Sequence, residues 1–179
     1  LVHSKVKTVY MLGRRGPAQA AFTNPEIREI SSIHGTDLVV RSDEMTLDPL
    51  SEEYLAQSKD LTNRRNVETL TAQVAKGEGS EPRKIRLRFL VSPVAILGDG
   101  RVEALRIERN RLVKGASGAL SAQPTGEFEE LPAQLVFRSI GYMGQPLAGL
   151  PFDARAGVIP CALQRGHQLR VAILDMAEL

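Results

Sequence analysis

The feature that most constrains this chain is an apolar run that stops on a glycine and is followed at once by two arginines and a Gly-Pro break, Val9-Tyr10-Met11-Leu12-Gly13-Arg14-Arg15-Gly16-Pro17. Read as strand, turn and helix entry, it places two guanidinium groups at the C-terminal end of a strand, where the ligands of open α/β sheets bind. Two fixed positive charges in that crevice ask for a phosphate, because the planar guanidinium fork binds one bidentately. Dinucleotide folds that read a ribose 2′-hydroxyl carry Asp or Glu at this position, whereas arginine accommodates a 2′-phosphate. The residues therefore predict an NADP site rather than an NAD site. The alternative is that Arg14 and Arg15 are solvated surface charges, which is where most arginines lie.

The next segment is helical. Thr23 suits an N-cap and Glu26 stands three residues on, completing a capping box, with Phe22 and Ile27 at the hydrophobic-staple positions. Ile27, Ile30 and His34 share one face and Gly35 is a suitable stop, so a helix is predicted over residues 23–34.

Taken together, Gly13-Arg14-Arg15-Gly16-Pro17-Ala18-Gln19-Ala20-Ala21-Phe22-Thr23 and Glu26-Ile27-Arg28-Glu29 resemble the adrenodoxin reductase family of ferredoxin–NADP reductases, flavoproteins that bind FAD and NADP(H). The resemblance implies NADPH:ferredoxin oxidoreductase activity, with electrons passing from NADPH through FAD to a ferredoxin or adrenodoxin-like iron–sulfur protein. It assigns Arg14 and Arg15 to the 2′-phosphate, with Gly13 and Gln19 in the same cofactor-binding turn. Glu26 falls near the adenosine ribose, and its cap role is compatible with that. Glu29 falls towards the nicotinamide and flavin as the catalytic residue; the residues alone favour a solvated helix carboxylate. Gln19 and Thr23 either orient the turn or satisfy local backbone. Ser139-Ile140-Gly141-Tyr142 matches the segment by which such reductases return to the FAD domain.

Along the rest of the chain, Val6 to Leu12 reads as a parallel strand buried on both faces and Asp37 to Val40 as the next strand. Helices are predicted over 51–58 and 63–76, the second with a Val67, Leu70, Thr71, Val74 stripe ended by Gly77. Period-two alternation then predicts strands over 84–91, 94–97 and 102–113, with Asp99-Gly100 as a tight turn. These would form a three-stranded antiparallel meander whose solvent face carries Arg86, Arg88, Arg106, Arg109 and Arg111. Lys114 to Glu130, rich in Gly, Ala, Ser and Pro, reads as a surface loop, and Gln134 to Arg138 as a buried strand.

The expected fold class is α/β, a Rossmann-like NADP-binding domain of a two-dinucleotide flavoprotein reductase with an inserted three-stranded meander. Residues 1–142 would be a partial NADP(H)-binding domain with its meander at 84–113, residues 143–160 the return towards the FAD domain, and 161–179 an atypical tail. The resemblance covers about Val6 to Pro160. It lacks the FAD domain's G-x-G-x-x-G element and breaks off at Cys161, as a frameshift or alternative exon would make it. The chain is therefore expected to be a fragment, incomplete at both ends, not competent for turnover alone and marginally stable, because a central strand of the wind is missing. The competing expectations are a truncated, non-catalytic module and a generic phosphate-binding α/β domain.

Composition excludes other classes. A net charge of +2 with few aromatics interleaved among the arginines does not call for nucleic acid or an anionic membrane. No apolar run reaches the roughly 18 residues of a membrane helix. The single cysteine, Cys161, points to a reducing compartment, the cytoplasm or alternatively the mitochondrial matrix. His3, His34 and His167 have no metal-like partners, so no metal is expected, and neither a nucleophile elbow nor a P-loop is present.

Overall fold

The computed structural model describes residues 4–139, 144–155 and 157–159 of the 179-residue chain. It divides into two units, 1–136 and 137–179. The first unit holds all the named elements. Strands β1 (Thr8–Leu12), β2 (Thr36–Val40) and β3 (Arg83–Arg88) form a parallel sheet in the order β1-β3-β2. Helices α1 (Asn24–Ser31), α2 (Pro49–Gln57) and α3 (Thr62–Lys76) lie in the crossovers, and a single 3-10 turn at Pro17–Gln19 precedes α1. Strands β4 (Val91–Leu97), β5 (Ala104–Lys114) and β6 (Leu120–Pro132) form an antiparallel meander.

Two apolar clusters organise the unit. Ile27 of α1 and Leu70 of α3 bury against Leu38, Val40, Leu87 and Phe89. Val91, Leu105, Ile107 and Leu131 form the second cluster, on which Tyr10 and Leu12 pack. Strand β1 thus presents alternate side chains to opposite sides, as the pleat requires, and two of them lie against the meander.

Local chemistry sets the helix ends as expected. Thr23 caps α1 through its hydroxyl and the backbone N–H of Glu26, and Glu26 accepts in return from the N–H of Thr23. Asp48 caps α2, accepting from the N–H groups of Leu50 and Ser51.

Several expectations are corrected. The alternating run at 84–91 is not the first strand of the meander: residues 83–88 form the central parallel strand, pairing Ile85 with both Val9 and Leu38. The meander therefore occupies 91–132 rather than 84–113. Arg88, expected on a solvent face, is buried. The predicted loop at 114–130 is mostly strand β6, paired with β5 on either side of a register shift. Its polar, Gly- and Pro-containing composition reflects an edge strand exposed along most of its length, where no core selects β-branched residues.

Strand β1, expected to be buried on both faces, leaves Val9 and Met11 exposed, because its ladder is made on one side only and the helices cover β2 and β3 instead. No strand forms over 134–138, and Leu135 is exposed; an apolar run becomes a strand only where an edge pairs with it. Helix α1 is shorter than 23–34, ending at Ser31 with His34 exposed.

In the second unit Asp153 and Val158 form an isolated antiparallel bridge, and the N–H of Gly144 donates to the carbonyl of Gly157 at 3.0 Å. Residues 140–142 of the expected return segment and the tail at 161–179 lie outside the described residues.

Candidate functional site

Each strand of the parallel sheet delivers arginine at or just beyond its C-terminal end. Strand β3 ends on Arg88, β2 is followed by Arg41, and β1 is followed after one glycine by Arg14 and Arg15. Two of these ends are neutralised. Arg88 donates from Nε to Glu44 at 2.7 Å and from Nη1 and Nη2 to Glu129 at 3.0 and 2.7 Å. Arg41 makes a two-point pair with Asp43 at 3.0 and 2.9 Å. Arg14 and Arg15 differ: both are exposed, and among the described residues neither guanidinium has a bonded or ion-pair partner. The free positive charge at the ligand-binding edge of the sheet is concentrated on the β1 turn.

Neighbouring backbone fixes that turn. The N–H of Gly13 donates to the carbonyl of Arg88 at 2.9 Å, and the carbonyl of Gly13 accepts from the N–H of Val91 at 3.1 Å. The carbonyl of Arg15 accepts from the N–H of Leu90 at 3.1 Å, and that of Arg14 from the Asn110 side-chain amide at 3.0 Å. Gln19 faces inward: its Nε2 donates to Ser51 Oγ at 3.1 Å, and Ser51 in turn donates to Asp48 at 2.8 Å. Its Oε1 lies against Gly16, where a Cβ would come within 3.0 Å of it, so only glycine fits there without displacing the amide. Gln19 supports the turn from beneath.

Glu26 and Glu29 sit on the exposed first and second turns of α1. Glu26 is held in the capping box, and the bonds from the Thr23 N–H and hydroxyl lower its pKa. The Glu29 carboxylate has no partner among the described residues, while its backbone carbonyl accepts from the Ser32 hydroxyl at 2.9 Å. Among those residues, no hydrogen bond or ion pair joins either glutamate to Arg14 or Arg15. The site residues that the sequence left unmarked are Leu90 and Asn110. Nothing local could have revealed them, since they reach the turn from 75 and 96 positions along the chain.

The paired strand ends titrate. The Arg41 bond holds the Asp43 carboxyl down at about 2, against the opposing effect of partial burial, with Arg109 adding to the depression. The Glu129 carboxyl is lowered chiefly by Arg88. Both folded values lie below the unfolded ones, so their stabilisation is present above roughly pH 4.5 and is lost on acidification, for Asp43 as pH falls towards about 2. Urea midpoints measured from pH 6 to pH 2.5 should drop on the acid side, and Asp43→Asn should flatten part of that slope. An unchanged slope would show that the Arg41–Asp43 pair carries no linkage.

No protein-family model matches the chain. The NADPH-ferredoxin reductase FprA of Mycobacterium tuberculosis is 43% identical over 155 residues, covering 87% of this chain and 33% of that protein. The mitochondrial NADPH:adrenodoxin oxidoreductase of Bos taurus is 39% identical over 168 residues, covering 89% of this chain and 34% of its own length. The solved structure of M. tuberculosis FprA in complex with NADPH superposes with a TM-score of 0.76 at 42% identity, over 87% of this chain and 34% of that one. Over this span the chain is homologous to FprA and to the mitochondrial NADPH:adrenodoxin oxidoreductases. It spans about a third of the length of the curated relatives it matches. The α/β unit with its antiparallel meander is therefore part of a Rossmann-like reductase fold. Among the described residues no helix is long and apolar enough to cross a membrane, and no group of His, Cys, Asp and Glu could hold a metal.

Proposed function

We propose that this chain supplies the 2′-phosphate-reading part of the NADP(H) site of an NADPH:ferredoxin oxidoreductase. The observation that carries the reading is the contrast at the strand ends: Arg88 and Arg41 are neutralised by carboxylates, and Arg14 and Arg15 are free. A phosphate dianion meeting two unpaired guanidiniums needs no protein ion pair to be broken, and each can bind it through two parallel N–H donors. The relative solved with NADPH, and the ferredoxin and adrenodoxin in the relatives' names, support the same substrate and an iron–sulfur partner.

Within this reading Arg14 and Arg15 bind the 2′-phosphate, Gly13 brings the backbone of the turn into place, and Gln19 holds the turn from below. Glu26 stabilises the start of α1 beside the ribose. Glu29, exposed and with its carboxylate unpartnered among the described residues, is the carboxylate directed towards the nicotinamide. FAD, which the family resemblance implies for the whole enzyme, finds no G-x-G-x-x-G turn among the described residues. The single cysteine and the mitochondrial relative suit a reducing compartment, cytoplasm or matrix.

The test is calorimetric titration of the full chain with NADP+ and NAD+. Arg14→Ala and Arg15→Ala should each weaken NADP+ by about 1.5–3 kcal/mol, the range of a hydrogen bond to a charged group. NAD+ binding should change little. Equal losses for the two nucleotides would rule out a 2′-phosphate role and favour a generic phosphate site.

A further inference from the structure

We propose that Asn110 is the positioning residue of the arginine turn: its side-chain amide fixes the direction in which Arg14 and Arg15 point and thereby sets discrimination for a 2′-phosphorylated adenosine nucleotide. This rests on the 2′-phosphate reading above.

Asn110 is buried, and both of its amide hydrogens have acceptors. Nδ2 donates to the carbonyl of Arg14 at 3.0 Å and to Ser92 Oγ at 2.8 Å. Its backbone N–H donates to the carbonyl of Leu90 at 2.7 Å, and Leu90 in turn donates its N–H to the carbonyl of Arg15 at 3.1 Å. One residue of β5 therefore reaches both arginines, one through its amide and the other through Leu90.

The geometry needed to do this is locally expensive. Leu90 has φ +53°, the one non-glycine residue among those described in the left-handed region, a conformation that L-residues hold only when their surroundings over-determine it. Strand β5 also carries a register shift between Glu108 and Asn110. The Thr125 hydroxyl, donating to the carbonyl of Arg109, and the Gly126 N–H, donating to Glu108, hold that shift in place. Bulges of this kind re-aim a side chain, and here the re-aimed side chain is Asn110. A strained corner and a bulge converge on two carbonyls.

Both carbonyls are thus bonded to the rest of the unit, while both side chains are exposed. Bidentate capture of a phosphate tolerates little displacement of either guanidinium, so a loosened turn should lose the 2′-phosphate before it loses the rest of the nucleotide. An aspartate at position 110 would keep the shape and the backbone bond, but would turn an acceptor towards the Arg14 carbonyl.

The experiment is calorimetry on the full chain with adenosine 2′,5′-bisphosphate and adenosine 5′-monophosphate, with unfolding midpoints measured alongside. Asn110→Asp should reduce affinity for the bisphosphate about three- to tenfold, the value of one such hydrogen bond, and leave the monophosphate unchanged. Ser92→Ala leaves the bond to Arg14 in place but frees the amide to rotate; it should shift the same ratio in the same direction by less, and serves if Asn110→Asp does not fold. A wild-type ratio in Ser92→Ala and in folded Asn110→Asp, or an equal loss for both nucleotides, overturns the proposal. Arg14→Ala separates this from failure of the underlying reading. If Arg14→Ala abolishes the preference and Asn110→Asp leaves it intact, only the Asn110 role fails. If Arg14→Ala leaves the preference intact, or the unaltered chain binds neither nucleotide, the 2′-phosphate reading fails and takes the Asn110 role with it.

Discussion

Replacing Glu44 with alanine is expected to remove about 3–5 kcal/mol of folding stability, the usual cost of stranding one member of a buried ion pair. Glu44 is 2% exposed, and both of its oxygens are used. Oε1 accepts from Arg88 Nε at 2.7 Å and Oε2 from the backbone N–H of Phe89 at 2.8 Å. Burial by itself pushes the Arg88 pKa down, and the bonds to Glu129 and Glu44 more than reverse this; arginine is too strong a base to deprotonate inside a protein, so the guanidinium stays charged when Glu44 is taken away. Alanine would therefore leave a buried cation with only Glu129, and a buried N–H without its acceptor. Glu129→Ala should cost less, because Glu129 is about a third exposed and water can replace it. Changing both partners together, Glu44→Leu with Arg88→Met, should recover most of the loss, since a buried pair is often matched by apolar residues of similar volume. Urea unfolding followed by circular dichroism measures all three. A loss below about 1 kcal/mol in Glu44→Ala would mean that desolvation already cancels the pair's attraction.

Leu70→Ala should cost about 2–5 kcal/mol by the same measurement. Leu70 is fully buried at the centre of α3, among Ile27, Leu38, Val40, Leu87 and Phe89. Its loss removes the transfer free energy of the deleted atoms and leaves a cavity between two helices and a sheet, which cannot collapse without shifting strands already fixed by their ladders. Because α3 also packs beneath the 3-10 turn at Pro17–Gln19, the injury should reach the arginine turn as well. Leu70→Met, which nearly conserves volume, should cost less than about 1.5 kcal/mol. Equal costs for the two would show that the site is looser than its burial implies.

Helix α1 and the arginine turn were legible in the sequence because their signals are local. A capping box, a staple and a Gly-Arg-Arg-Gly-Pro break all lie within 20 residues. The run at 83–88 misled because lysine and arginine alternating with apolar residues look like a strand with one wet face. Its charges are instead neutralised from afar: Lys84 by Asp37, and Arg88 by Glu44 and Glu129, 44 and 41 positions away. Period two identifies a strand but does not say which sheet it joins. The segment at 120–132 misled in the opposite sense, since proline and glycine are turn residues in most settings and bulge or edge residues in this one. Leu90 and Asn110 were invisible for the same reason as Glu44: their importance lies in a partner that only the tertiary fold brings near.

The strand order of the parallel sheet has a consequence for how the chain is made. The central strand, β3, comes last of the three in sequence, and neither β1 nor β2 pairs with the other. As synthesis passes through this stretch, the residues before β3 can form helices but no ladder with one another, with Leu38 and Val40 still uncovered. Once β3 emerges, it must close two long loops at once, the slow kind of step. The meander, made next, is joined by short turns and can zip rapidly. The grip on the arginines from residues 90 and 110 therefore comes from the later-made part of the unit, and the arginine turn is among the last features to acquire its shape.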